Sequence, residues 1–193
     1  MYYSKINPYF RDILQEGIMK KISYLVFFVV ALGFLSCATN SNSIREEGRF
    51  YEKSGGFSIL IPESWQVAEM PSLKYKVLIG QTKNNFTPNI TFVDEAFGGD
   101  LNFYVEASIE QLKRLLGNNI EIMERSDFVT IKNLKGVKLV TKSLQYDRHI
   151  RQIMYIFPGN GKKIVVNCTV LTEEGEPYDE LFDKTIKTFE WTK

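Results

Sequence analysis

A chain of 193 residues, 44% apolar and 24% charged with a formal charge of +1, has the composition of a folded globular protein with one core. Without residues 1–36, which hold four Lys/Arg and two Asp/Glu, the charge becomes −1; the basic excess of a nucleic-acid binder is absent, and no nucleic-acid partner is expected. Two cysteines, Cys37 and Cys168, and a single histidine, His149, argue against a disulfide framework and against a metal centre needing two imidazoles, and no cofactor is expected.

Export chemistry dominates the N-terminal stretch. From Met19 the order is Met-Lys-Lys, an almost wholly apolar run from Ile22 to Leu35, then Ser36-Cys37. That is a basic segment, an apolar segment and a small residue before a cut. Tyr24 to Leu35 would measure about 18 Å as a helix, against a bilayer core of about 30 Å, so it reads as a leader and not as a span. Phe34-Leu35-Ser36-Cys37 resembles a bacterial lipobox, with Phe34 standing where that signal usually has leucine. The resemblance implies cleavage before Cys37 and lipidation of its thiol, with two or three acyl chains giving a stable hold where one gives a marginal one. The other reading is a secretory leader cut elsewhere, with Cys37 incidental. Ala38, and not Asp, follows the cysteine, which in a diderm bacterium mildly favours the outer membrane.

Residues 1–18 carry Arg11, Asp12 and Glu16 ahead of the basic segment and fit no export signal. Gln15-Glu16-Gly17 can be encoded by a ribosome-binding sequence placed just before the Met19 codon, so translation is expected to start at Met19; a genuine extension is the alternative. The expected order is therefore an extension (1–18), a signal peptide (19–36), a lipid-anchored polar tether (37–48) and one domain (49–193).

In that domain Arg49–Glu52 and Phe57–Ile61 read as a hairpin around Ser54-Gly55-Gly56, stopped by Pro62. Trp65 is expected to tuck toward the core. Tyr75–Gln81 alternates as a half-buried strand, and Asn89–Val93 is another. Asp100–Leu116 reads as a helix, with Leu101, Val105, Ile109, Leu112 and Leu116 on one face, Lys113 and Arg114 late, and Gly117 as its stop. Four strands follow with short connections: Ile120–Arg125, Gly136–Leu144, Ile150–Phe157 and Lys163–Leu171, the last two joined through Pro158-Gly159-Asn160-Gly161. Glu176-Pro177 opens a last helix with an apolar stripe of Tyr178, Leu181, Phe182, Ile186 and Phe189. Strands outnumber helices and are segregated from them, which predicts the α+β class: an antiparallel β-sheet packed with two main helices.

Gly56-Phe57-Ser58-Ile59-Leu60-Ile61-Pro62-Glu63-Ser64-Trp65 and Phe182-Asp183-Lys184-Thr185-Ile186-Lys187-Thr188-Phe189, in this order of elements, resemble the PsbP-like family. The resemblance runs from about Phe50 to Trp191. It implies an α/β/α sandwich in a group that includes bacterial lipoproteins of the DcrB type, and a binding or assembly role in place of a reaction, by analogy of fold. It carries no functional residue with it.

Reactive groups are sparse. Asp147-Arg148-His149 is the one close Asp/His pairing, with Ser143 the nearest hydroxyl, and reads as a charged hairpin turn. Cys168 alternates with Ile164, Val166 and Val170 and reads as a core residue. Asp94-Glu95, Asp100 and Glu173-Glu174-Glu176 lack calcium-loop spacing. Asn85-Phe86-Thr87, Asn89-Ile90-Thr91 and Asn167-Cys168-Thr169 match glycosylation triplets that a bacterial lipoprotein rarely meets. No catalytic residue is assigned. Aromatics before the first helix, Phe86, Phe97, Phe103 and Tyr104 among them, form a possible interaction surface if exposed, or a cap on the core if not. The expected function is a membrane-anchored lipoprotein of the cell envelope with a non-catalytic domain and an envelope protein partner; the alternative is a small-ligand carrier or enzyme with a pocket between sheet and helix.

Overall fold

The computed structural model describes residues 48–192. The expected leader, the expected lipidation site Cys37 and the expected tether up to residue 47 lie outside the described residues. Within them the chain forms strands β1 (Arg49–Glu52), β2 (Phe57–Leu60), β3 (Gln66–Ala68), β4 (Val77–Ile79) and β5 (Asn89–Ala96), then helix α1 (Leu101–Leu116). Strands β6 (Ile120–Val129), β7 (Lys135–Gln145), β8 (Arg148–Gly159) and β9 (Lys162–Leu171) follow, then helix α2 (Gly175–Ile186) and β10 (Glu190–Trp191).

Seven strands make one antiparallel sheet in the order β3-β4-β5-β9-β8-β7-β6; β1, β2 and β10 make a second, three-stranded one. Alternation of side chains sends Ile164, Val166, Cys168 and Val170 to one face of β9 and Val165, Asn167 and Thr169 to the other. The first set joins Phe157, Tyr155, Phe182, Ile186 and Phe189 in the main core, under α2 and the small sheet. On the opposite face, Val165 joins Val137, Leu139, Met154 and Ile156 beneath Tyr104, Val105, Ile109 and Leu112 of α1. The result is the α+β arrangement read from the sequence, an antiparallel sheet between two helices.

Helix α1 starts where its cap requires: the Asp100 carboxylate accepts from the Phe103 N–H at 3.0 Å. It stops at Gly117, whose φ of 56° is a left-handed conformation that costs glycine little. Several bounds differ from the expectation. Helix α2 begins at Gly175, so Pro177 is its third residue and not its first; the first-turn N–H groups have no intrahelical partner, which lets proline sit there. Phe189 lies beyond α2, in the turn that leads into β10, and is buried. Strand β6 continues past Arg125 to Val129 through an irregularity between Ile122 and Glu124. Strands β3 and β10 were not anticipated.

Candidate functional site

At the N-terminal end of α1 the structure brings together three of the four aromatics singled out above. Phe97 and Phe103 stack at 6.2 Å with a 6° angle between rings, and Phe97 lies 5.3 Å from the Tyr104 ring. Phe103 is 55% exposed. Tyr104 is buried, its hydroxyl donating to Glu95 at 2.8 Å; burial, aided by the Glu95 charge, pushes its ionisation well above the usual tyrosine value. Tyr104 therefore supports the platform and does not present it. Beneath the loop, the buried Lys163 ammonium donates to the carbonyls of Phe97 (2.9 Å) and Gly99 (2.8 Å) and sits 5.2 Å from the Phe97 ring. Phe86 is not part of this group. It lies in the loop before β5, and the eight residues of that strand separate it from Phe97 by about 26 Å.

A second feature was missed in the sequence. On the α1 face of the large sheet, register aligns Asn89, Thr169, Gln152 and Thr141 across four strands, with Thr91 and Asn167 beside them. All six are buried. The hydrogen bonds among them are long: Gln152 to Asn167 and Thr91 to the Asn167 carbonyl at 3.4 Å, Asn167 to Thr169 at 3.2 Å. Asn89 Oδ1 and Thr141 Oγ1 have no hydrogen-bond partner among the described residues, though Asn89 is 1% and Thr141 0% exposed. The available signal was their repetition, polar uncharged residues at matched positions of four consecutive sheet neighbours.

The reactive side chains are dispersed. Ser143 pairs with Ile150 and His149 with Leu144, so Ser143 and His149 point to opposite faces of the β7–β8 hairpin. Cys168 is fully buried, and burial, with the nearby Asp183 charge, holds its thiol well above the ordinary value and protonated. Asp94 is clasped by Lys74 (2.6 Å) and Lys162 (2.9 Å). Glu174 pairs with Lys83, and Asp100 caps α1. Among the described residues no three His, Cys, Asp or Glu side chains converge as metal ligands would.

No protein-family model matches the chain, and no curated protein sequence does. Solved structures do. The solution structure of cyanobacterial PsbP (CyanoP) from Synechocystis is similar with a TM-score of 0.55 at 14% identity, covering 83% of this chain and 98% of that one. LpqN of Mycobacterium tuberculosis, described as involved in cell envelope biogenesis, is similar with a TM-score of 0.54 at 13% identity, over 71% and 83%. At such identities the likeness speaks of fold: the described domain has the PsbP-like α+β architecture.

Proposed function

We propose that this chain is an exported bacterial lipoprotein, acylated on Cys37, whose PsbP-like domain binds or assembles with an envelope protein and catalyses no reaction. The observation that carries the binding role is the Phe97–Phe103 platform. A half-exposed aromatic stacked on a second ring, fixed from below by Lys163 and Tyr104, offers a rigid apolar contact with little entropy left to lose. The leader pattern ending at Cys37 supports the anchor, and the part that LpqN plays in envelope biogenesis fits the same compartment by analogy.

Two substitutions test the reading in the native host. Cys37→Ser is expected to abolish palmitate incorporation and release the chain from the membrane fraction. Phe103→Ala is expected to lower cross-linking to an envelope partner about ten-fold while leaving thermal stability nearly unchanged, since truncation of a half-exposed side chain costs roughly 0.5 kcal/mol. Persistence of the label after Cys37→Ser contradicts the anchor; undiminished cross-linking after Phe103→Ala contradicts the platform.

One observation favours a second reading, a carrier of a neutral, hydroxyl- or amide-bearing small molecule. Unpartnered buried polar atoms such as Asn89 Oδ1 and Thr141 Oγ1 cost stability unless something bonds them. A bound water would satisfy them as well as a ligand. Native mass spectrometry of protein taken from its own membranes separates the two: a discrete small-molecule adduct supports the carrier, and a bare mass removes it.

A further inference from the structure

We infer that the β6–β7 loop is a membrane-contact point, in which Ile131 enters an anionic lipid surface inside a ring of lysines and holds this end of the domain against the bilayer. This rests on the anchor proposed above. Ile131 is 70% exposed, at the tip of the turn that joins β6 to β7. A lone exposed apolar side chain is ordinary on a protein surface; Ile131 is set apart by its place at a fixed loop tip among lysines. The turn is fixed: the Thr130 N–H donates to the Leu134 carbonyl at 3.0 Å, the Asn133 N–H to the Thr130 carbonyl at 2.9 Å, and Asn133 takes a left-handed φ of 60°. Ile131 itself is tied to the end of α2, its N–H donating to the Lys187 carbonyl at 2.8 Å. A wedge held this way loses little freedom on insertion.

The surroundings are cationic. Lys132 follows Ile131 in the turn and Lys135 opens β7, while Lys184 and Lys187 lie on the last turn of α2 and just beyond it; all four are exposed. Of the nearby carboxylates, Glu190 is engaged by Arg49 at 3.2 Å and by Lys132 at 3.9 Å, and Asp183, next to Lys184, by Lys138 at 2.8 Å. An apolar tip in a basic ring matches an anionic bilayer surface, where headgroups meet the lysines and acyl chains the side chain. A protein partner would need an acidic rim around an apolar socket, which the anchor does not bring close.

Position strengthens the assignment. The described chain begins beside this patch. Arg49 Nη1 donates to the Thr188 carbonyl at 3.2 Å, one residue past Lys187, and the Leu60 N–H to Thr188 Oγ1 at 2.9 Å. Between Cys37 and Gly48 the backbone can reach at most roughly 40 Å. An acyl group at Cys37 therefore keeps this end of the domain near the bilayer, and a weak contact then acts at high effective concentration.

The test uses the acylated chain, purified from host membranes and reconstituted in vesicles of phosphatidylcholine, alone or mixed with phosphatidylglycerol. Ile131→Cys carries an environment-sensitive fluorophore, and the buried Cys168 stays unlabelled. A Tyr146→Cys label is the control: Tyr146 is 76% exposed, on the β7–β8 turn, at the other end of the eleven-residue strand β7. The expected result is a blue shift and quenching by nitroxide lipids at position 131, in anionic vesicles only, reversed by salt, with position 146 remaining aqueous. Lys132→Gln and Lys187→Gln should each weaken the contact about five-fold. An aqueous label at 131 in chains that carry palmitate and stay on the vesicles overturns the contact and leaves the anchor standing, as does quenching at 146 in place of 131. Chains without palmitate that do not stay on the vesicles overturn both.

Discussion

Asp94 shows how one residue ties three parts of the chain. Its two oxygens accept from Lys74 in the β4-side loop and from Lys162 at the start of β9, and Lys162 also donates to the Gly55 carbonyl at 3.1 Å and lies 5.4 Å from the Trp191 ring. Burial alone would raise the Asp94 pKa; the hydrogen bonds from Lys74 and Lys162 outweigh it and hold the carboxyl at about 2. The folded value lies below the unfolded one, so the carboxylate stabilises the fold above about pH 4, and that contribution is lost as pH falls toward 2. Asp94→Asn is therefore expected to cost about 2 kcal/mol at pH 7 and to differ little from the parent near pH 2. Urea unfolding across that range reads the difference. A deficit that stays constant from pH 7 to pH 2 would mean that shape, and not charge, is what Asp94 supplies.

At the level of elements, helix α2 is held to the sheet by two unequal carboxylates. Asp183 accepts from the Tyr155 hydroxyl at 2.5 Å and from Lys138 at 2.8 Å, and Tyr155 is fully buried. Asp179 takes a two-pronged contact from Arg151, at 2.8 and 2.5 Å, at similar exposure but with no buried hydroxyl depending on it. Asp183→Ala strands a buried hydroxyl and an ammonium, which predicts a loss of about 2 kcal/mol or more, against about 1 kcal/mol or less for Asp179→Ala. Chemical denaturation ranks them, and the reverse order would refute this account. Which elements could be read from the sequence follows from where their stability comes from. Helix α1 carries its own signals in Asp100, a period of 3.6 and Gly117, and β7, β8 and β9 alternate over ten residues or more. Strands β3 and β10 have three and two residues, too few for any period; β10 exists because β2, some 130 residues earlier, offers an edge. The irregularity after Ile122 shifts the phase of β6 and hid its second half. The candidate site divides the same way. Phe97 lies in the short loop after β5 and Phe103 and Tyr104 in the first turn of α1, near in sequence, so their meeting was legible. Phe86 was grouped with them by proximity along the chain, and β5 carries it to the other end of the sheet. The polar row from Asn89 to Thr141 needs the register of four strands, which no single segment encodes.

For the whole molecule, the question is whether the small sheet and the large one form a single cooperative unit. Their junction is aromatic. Phe189 stacks on Phe157 of β8 at 5.2 Å and 5°, lies 5.5 Å from Phe57 of β2 and 5.6 Å from Trp191, and is fully buried. Phe57 in turn reaches Phe92 of β5 at 4.8 Å and Tyr75 at 5.5 Å, and Phe50 of β1 reaches Phe92 at 6.1 Å. One chain of rings therefore runs from the first strand through the last to the centre of the large sheet. Strands β1, β2 and β10 are too short to be stable alone, so they owe their pairing to this cluster. Phe189→Ala removes the ring that both sheets share and leaves a cavity neither can fill, which predicts a loss of about 3–5 kcal/mol and a midpoint lower by roughly 10–15 °C. Because the rings are continuous, the loss should appear as one transition, coincident by far-ultraviolet circular dichroism and by tryptophan fluorescence from Trp65 and Trp191. If fluorescence instead melts first while the strand signal persists, the small sheet is a separate unit that opens by itself, and the continuity of the ring chain does not govern the stability of the fold.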